Sequence, residues 1–202
     1  MYKSILKRIL DFLLSLLVSI LFLPFLIILA VIIKADSSGP VFFKQERVGK
    51  NLKFFKIIKL RTMTDKKRTI SDNPIIGKTD EVTRIGYYLR RFKIDELPQV
   101  FSVLKGDMSI VGPRPNVPKH LENMTKKEKM RYTVKPGLTG LSQVSGNIHI
   151  PWKERFKYDL KYVNNISFMV DLKIIVKTFL IIFKGEDKFI HASKNIIKND
   201  KS

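Results

Sequence analysis

Residues Phe12 to Ile33 read FLLSLLVSILFLPFLIILAVII, twenty-two positions without a charge. A helix needs about 20 apolar residues to cross the hydrocarbon core of a bilayer, so this stretch is long enough to belong to a membrane. It also outruns the ~7–15 apolar residues of a cleaved signal peptide, and no clear small-x-small cleavage site follows it. One end of the chain therefore meets lipid, and the remainder has to fold beside it.

The flanks decide how the segment enters. Lys3, Lys7 and Arg8 precede the run, and Lys34, Lys44, Arg47 and Lys50 follow it. Basic residues stay on the cytoplasmic side, so both ends are assigned to that side. Pro24 sits at the centre, where it removes one backbone hydrogen bond and crowds the preceding turn. A break there lets the chain enter one leaflet, turn, and leave by the same face. A kinked spanning helix is the other form these residues allow.

The whole chain has 202 residues, enough for one domain and too few for two comfortable ones. Lys and Arg outnumber Asp and Glu 38 to 18, a formal net charge of +20, which calls for an anionic partner. Nucleic acid, acidic lipid headgroups and phosphorylated metabolites all qualify. The absence of cysteine excludes disulfides and thiolate metal sites, and His120, His149 and His191 share no ligand spacing. Any metal has to be a hard cation such as Mg²⁺, held by carboxylates and phosphates.

After a break at SSGP (37–40), VFFKQERV and LKFFKIIKLRTM flank GKN and read as two strands about a tight turn. Lys59 and Arg61 lie two apart on the second, hence on one face. Residues 64–82 are polar and interrupted by Pro74 and Gly77, a loop. TRIGYYLRRF reads as a helix ending near Lys93. The next helix is expected to start with Asp95 as N-cap and Pro98 in its first turn, to bury Leu97, Val100, Phe101 and Leu104, and to stop at Gly106. VGPRP (111–115) is a stiff extended strip presenting Arg114, because both Gly112 and Arg114 precede proline. KPGLTG (135–140) and SGN (145–147) read as loops, and Trp152–Val163 as an amphipathic helix. The apolar segment 168–183 is too interrupted to span; it suits the membrane interface or the cover of a core. The last eighteen or so residues are polar.

Asp95 and Glu96 are adjacent carboxylates just behind Arg90, Arg91 and Lys93. One account makes Asp95 a helix cap contributing about 1 kcal/mol. The other keeps it ionised by the nearby cations, able to ligate Mg²⁺ or to attack an electrophile. Arg114 adds a fork-shaped clamp suited to phosphate oxygens.

These stretches carry a resemblance. KRILDF before a proline-broken apolar helix, FKIIKLRTM, DELPQVFSVLKGDMSIVGPRP and KPGLTG resemble the bacterial sugar transferases, the small monotopic phosphoglycosyl transferases, in order over roughly residues 3–185. The resemblance implies transfer of a phosphosugar from a UDP-sugar to polyprenyl (undecaprenyl) phosphate, with release of UMP, as the first membrane step of a glycan such as an exopolysaccharide, capsule, O-antigen or glycoprotein glycan. It implies Asp95 as the nucleophile beside Mg²⁺, Glu96 as its partner in the dyad, and Arg90 and Arg114 as handlers of phosphate and nucleotide. Lys59 and Arg61 fall on the matching basic strand. The chain departs from the pattern at Leu23, where a serine commonly precedes the proline. It departs again at 140–147, where GLSQVSGN stands for GWAQVNGR and loses a tryptophan and an arginine.

The expected fold is α+β: a re-entrant helix-break-helix over 1–36, a small cytoplasmic catalytic domain with amphipathic interfacial helices over 37–185, and a polar tail over 186–202. The expected location is the cytoplasmic face of the bacterial inner membrane, with nucleic acid not expected as a partner and a homodimer left open. A membrane-tethered nucleic-acid-binding protein is the alternative; it accounts for the charge but leaves the DE pair and Pro24 unexplained.

Overall fold

A computed structural model describes residues 2–64, 79 and 81–184 of the chain. The polar tail expected over 186–202 and most of the loop expected over 64–82 lie outside the described residues.

A single wide turn over Tyr2–Leu6 leads into helix α1, Lys7–Asp36. The helix runs through Pro24 without interruption, which differs from the expected helix-break-helix. A proline inside a helix costs about 3 kcal/mol, and packing on both sides of it offsets that here. Phe22 is buried before Pro24, while Leu26 and Leu29 pack after it against a cluster of Ile33, Leu60 and Leu89. The face turned to the rest of the molecule begins with Asp11, Ser15 and Ser19, each buried. The opposite face leaves Phe12, Leu13, Leu17, Leu21, Phe25 and Ile28 exposed.

Both ends of α1 are tied to the same folded body. Near its start, Arg8 donates to the carbonyls of Val103 (2.6 Å) and Leu104 (2.9 Å). Asp11 accepts from the Ser109 hydroxyl (2.7 Å) and the Ile110 amide (3.0 Å). At its end, Arg61 donates to Ile33 O (3.2 Å) and to Ser37 O, and Asp36 accepts from the Ile85 amide (3.1 Å).

Strands β1 (Phe42–Val48) and β2 (Phe54–Leu60) form the expected antiparallel pair, with Phe43 opposite Lys59 and Arg47 opposite Phe55. Between them Asn51 and Leu52 both take positive φ, which tightens the connection. Helix α2 (Arg84–Arg91) is capped by Thr83, whose hydroxyl accepts from the Gly86 amide (2.9 Å). Then come a 3₁₀ segment (Ile94–Gln99) and α3 (Val100–Lys105), which stops at Gly106 with φ 97°.

Strand β3 (Ser109–Val111) pairs in parallel with β4 (Gly137–Thr139), so KPGLTG is not only a loop. Glycine makes this pairing possible. A Cβ on Gly112 would sit 2.5 Å from Lys135 O and 2.8 Å from Gly137 N, and one on Gly137 would collide with the Gly112 amide nitrogen. Short α4 (Lys126–Lys129) lies between the two strands and α5 (Leu141–Val144) after them, then α6 (Trp152–Asn164) and α7 (Phe168–Lys184) close the body. Helix α7 covers the core through Ile174 and Asp171 while Phe168, Met169, Leu172, Val176, Phe179 and Phe183 remain exposed.

Candidate active site

The acidic pair sits in the 3₁₀ segment, and the turn before it explains its placement. Lys93 takes φ 57°, a left-handed conformation that is uncommon outside glycine, and so reverses the chain after α2. Asp95 is then carried inward and is only 8 % exposed. It is not the cap of a helix, as the sequence suggested, since no side-chain cap bond closes either the 3₁₀ segment or α3. The buried face of α3 is also rotated: Val100 and Val103 are buried with Ser102, while Leu97, Phe101 and Leu104 are half-buried. Asp95, Pro98 and Gln99 take the buried positions ahead of α3.

The two carboxylates have opposite surroundings. Glu96 receives Lys59 Nζ at 2.6 Å and both Arg114 terminal nitrogens, at 2.6 and 3.1 Å. Burial pushes its pKa up, but the charges of Arg114 and Lys59, with their hydrogen bonds, outweigh burial and hold it well below the usual range. Among the described residues, no hydrogen bond reaches the Asp95 carboxylate. Its pKa rises to about 6, first through burial and then through the Glu96 charge beside it; Lys59, Lys93 and Arg114 pull the other way. Asp95 is thus mostly ionised at neutral pH and gains a proton in mild acid. Lys59, Lys93 and Arg114, all named from sequence, bear on the charge of Asp95, and Arg90 lies half-buried in the last turn of α2.

Arg114 is presented on the extended strip, as expected, and its side chain stays 40 % exposed. Its backbone is fixed from behind: Arg131 donates to Arg114 O (2.7 Å) and pairs with Asp159 of α6 (2.7 Å), which also accepts from the Ser142 hydroxyl (2.8 Å). Lys59 and Arg61 do not act together. Lys59 reaches Glu96, whereas Arg61 is 6 % exposed and holds the end of α1. Strand β2 ends at Leu60, so the alternation that would have aligned the two side chains is lost at Arg61.

Two further cations close the site that sequence alone did not select. Arg47 lies on the inner face of β1 and donates to Pro115 O (3.0 Å). Its pKa is pushed down to about 10 by burial and by the Arg114 charge. Arg155 of α6 donates to Ile148 O and Ile150 O, both at 3.0 Å, and is also lowered by burial and by Arg114. The only sequence signal for Arg47 was its position in an alternating strand; Arg155 had none.

Beside Glu96 and Arg114 opens an apolar cleft of about 260 Å³, with Val18 of α1, Val100, Ile110, Leu138, Ile175 and Phe179 among its walls. It leads from the charged pair toward the exposed apolar faces of α1 and α7. Gln143 and Asn147, from the stretch that departs from the usual pattern, also line it.

Among the described residues, no three acidic, histidine or cysteine side chains gather to hold a metal. A Mg²⁺ ion commonly takes one or two carboxylates and completes its shell with substrate phosphates and water. Asp95, with its oxygens not engaged, fits that donor set; Glu96, clamped by three hydrogen bonds, does not.

Comparison with known proteins decides the family. Residues 2–185 match the family model described as bacterial sugar transferase. This chain belongs to that family. It is 43 % identical to an uncharacterized sugar transferase of Bacillus subtilis (strain 168), over 73 % of this chain and 72 % of that one. It is 40 % identical to the UDP-glucose:undecaprenyl-phosphate glucose-1-phosphate transferase of Klebsiella pneumoniae, covering 95 % of this chain but only 42 % of that protein. It is also 40 % identical to the exopolysaccharide production protein PSS of Rhizobium leguminosarum bv. phaseoli, over 86 % of this chain and 93 % of that one. This sugar transferase chain therefore spans under half of some relatives and nearly all of others.

Proposed function

We propose that this sugar transferase moves a sugar phosphate from a UDP-sugar to undecaprenyl or another polyprenyl phosphate at the cytoplasmic face of the bacterial inner membrane. The observation that carries the reading is the unequal pair: a buried carboxylate with its oxygens open, beside one clamped by Lys59 and Arg114. Neighbouring titratable groups whose pKa values are pushed apart mark a division of chemical labour. Asp95 attacks the sugar-bearing phosphorus of the UDP-sugar, the bond to the UMP oxygen breaks, and UMP leaves. A phosphate oxygen of the polyprenyl phosphate then attacks the same phosphorus, which frees Asp95 and leaves a polyprenyl diphosphate sugar. The name of the relative from Klebsiella pneumoniae favours both substrates. The cleft beside Arg114 suits an isoprenoid chain arriving from the lipid. Such a product is what glycan assembly at a membrane begins with, whether exopolysaccharide, capsule, O-antigen or glycoprotein glycan.

Glu96 has a positioning role. Through Lys59 and Arg114 it holds two cations beside Asp95, and Arg47 and Arg155 extend the positive field over the place where a diphosphate has to lie. Mg²⁺, held by Asp95 and the substrate phosphates, would supply neutralisation of the diphosphate charge.

The assay is UMP release by the purified protein in lipid, across a panel of UDP-sugars, with and without polyprenyl phosphate. No UMP from any of them overturns the reading. In the same assay Arg114→Lys keeps the charge and loses the paired donors to Glu96, so turnover should fall by about tenfold to a hundredfold. Wild-type turnover in a folded Arg114→Lys protein removes Arg114 from the site.

The attachment of α1 supports an anchor that keeps both of its ends on one side of the membrane, although the helix is unbroken at Pro24. A helix leaving the body to cross a bilayer can keep only one end against it, yet Arg8 and Asp11 at one end and Ile33 and Asp36 at the other are all bonded to it. Single cysteines at Ser4 and Ser38, in a chain with no native cysteine, should both label from the cytoplasmic side alone. Labels on opposite sides establish a spanning helix.

A further inference from the structure

A second cavity, of about 440 Å³, opens at the amino end of α1, and no step of the proposed transfer uses it. Lys3, Lys7, Arg8, Lys50 and Lys135 line it against one carboxylate, Asp11. The acids there are already engaged: Asp11 accepts from Ser109 and Ile110, and Asp171 pairs with Lys7 at 2.6 Å. Arg8 donates to two carbonyls and not to an acid, and neither Lys50 nor Lys135 has an ion-pair partner among the described residues. The cations converge: a Cβ built on Gly106 would lie 3.2 Å from the Arg8 guanidinium and 3.5 Å from Lys135 Nζ. Such a cluster of like charges is costly to hold together unless an anion enters it.

The strand β3 separates this cavity from the acidic pair. Ser109 and Val111 face it, while Ile110 between them faces the cleft beside Glu96. Exposed apolar side chains flank its lining residues along the chain: Ile5, Leu6 and Ile9 among Lys3, Lys7 and Arg8, and Phe168 and Met169 just after Ile166, with Tyr2 in edge contact with Phe168 at 6.1 Å. A cationic cavity lined also by Val134 and Ile166, with exposed apolar residues next to its lining in the chain, matches a lipid with its headgroup inward and its chains outside. Basic pockets at the cytoplasmic end of membrane helices take acidic headgroups in this way.

The geometry points to a binding site for the phosphate headgroup of an anionic phospholipid, distinct from the substrate site, that fixes the amino end of α1 at the membrane surface. The inference rests on the membrane attachment of α1 and not on the transfer reaction, so absence of UMP release leaves it standing.

The test is flotation of the full chain with vesicles of phosphatidylcholine alone, or of phosphatidylcholine and phosphatidylglycerol in equal parts. Lys50→Gln with Lys135→Gln should weaken partition into the acidic vesicles on the order of tenfold and leave the neutral vesicles unchanged. Lys126→Gln with Lys127→Gln on α4 removes the same charge elsewhere and should change little. Equal loss in both pairs, or no loss in the first, overturns the site in favour of diffuse attraction. In detergent, short-chain phosphatidylglycerol should raise the unfolding temperature of the wild type and not of Lys50→Gln with Lys135→Gln. If inorganic phosphate raises it as much, the cavity takes a free anion and the lipid assignment fails.

Discussion

Asp95→Asn should reduce turnover by at least a thousandfold and abolish attachment of labelled phosphosugar to the protein, with the fold unchanged. Asparagine has nearly the shape of aspartate, and the Asp95 carboxylate accepts no hydrogen bond among the described residues that its amide would forfeit. The substitution removes the nucleophilic oxygen and the charge, and with them the covalent step. Burial of the site argues for little loss of stability, because Asp95 pays a desolvation cost when ionised that a neutral amide avoids. The measurement is incubation of wild type and variant with UDP-sugar labelled in the sugar phosphate and no lipid acceptor, followed by peptide mapping. Label retained on the wild-type peptide that carries Asp95, and absent from the variant, is the expected result. If the wild type never carries label and both substrates have to be bound together for UMP to leave, direct transfer replaces the aspartyl route. The pH dependence gives a second reading. A carboxyl raised to about 6 is ionised above that pH, so the rate should fall as pH drops through 6, well above the usual aspartate range.

How far the residues alone led to this site depends on the range over which each signal acts. The hairpin of β1 and β2, helix α2 and α6 follow from local periodicity, and the stop of α3 from Gly106, so the sequence showed them to within a few residues. The DE pair and Arg114 were singled out by their charge and by the resemblance of the stretches that carry them, and the structure brings Glu96 and Arg114 into contact. The parallel pairing of β3 with β4 was not legible. Each strand is three residues long, too short for alternation, and the contact depends on Gly112 and Gly137 meeting from distant parts of the chain. The same holds for Arg47 and Arg155, which become part of the site only when β1 and α6 are brought to Arg114. Asp95 was misread as a cap because local pattern reports the start of a helix but not whether that start is buried. Asp11, immediately before the uncharged run, proved to be a tie to β3. Pro24 lowered the expectation of a continuous helix, and packing of Phe22, Leu26 and Leu29 against the body outweighed it.

Glu96→Gln should lower turnover by about a hundredfold, and its acid limb should move to lower pH. The direction of that move separates a positioning residue from a second nucleophile. Glu96 raises the Asp95 pKa through its charge, the largest cause after burial and larger than the opposing effect of Arg114, so a neutral glutamine lowers that pKa even when Arg114 moves away, with Lys59 and Lys93 still opposing burial. Asp95 then stays ionised further into acid, and the fall in rate begins below 6 instead of near it. The loss of rate has a different origin. Glutamine offers one acceptor oxygen where Glu96 offers two, so it cannot hold Lys59 and both Arg114 nitrogens together. Arg114, whose side chain is already 40 % exposed, is released toward solvent and no longer aligned on the diphosphate. The phosphosugar should still attach to Asp95, only more slowly. A Glu96→Gln enzyme whose acid limb stays near 6 would separate Glu96 from the charge state of Asp95. One that never labels would make Glu96 necessary to the covalent step itself. Single-turnover labelling across pH, run on wild type and variant side by side, distinguishes the three outcomes.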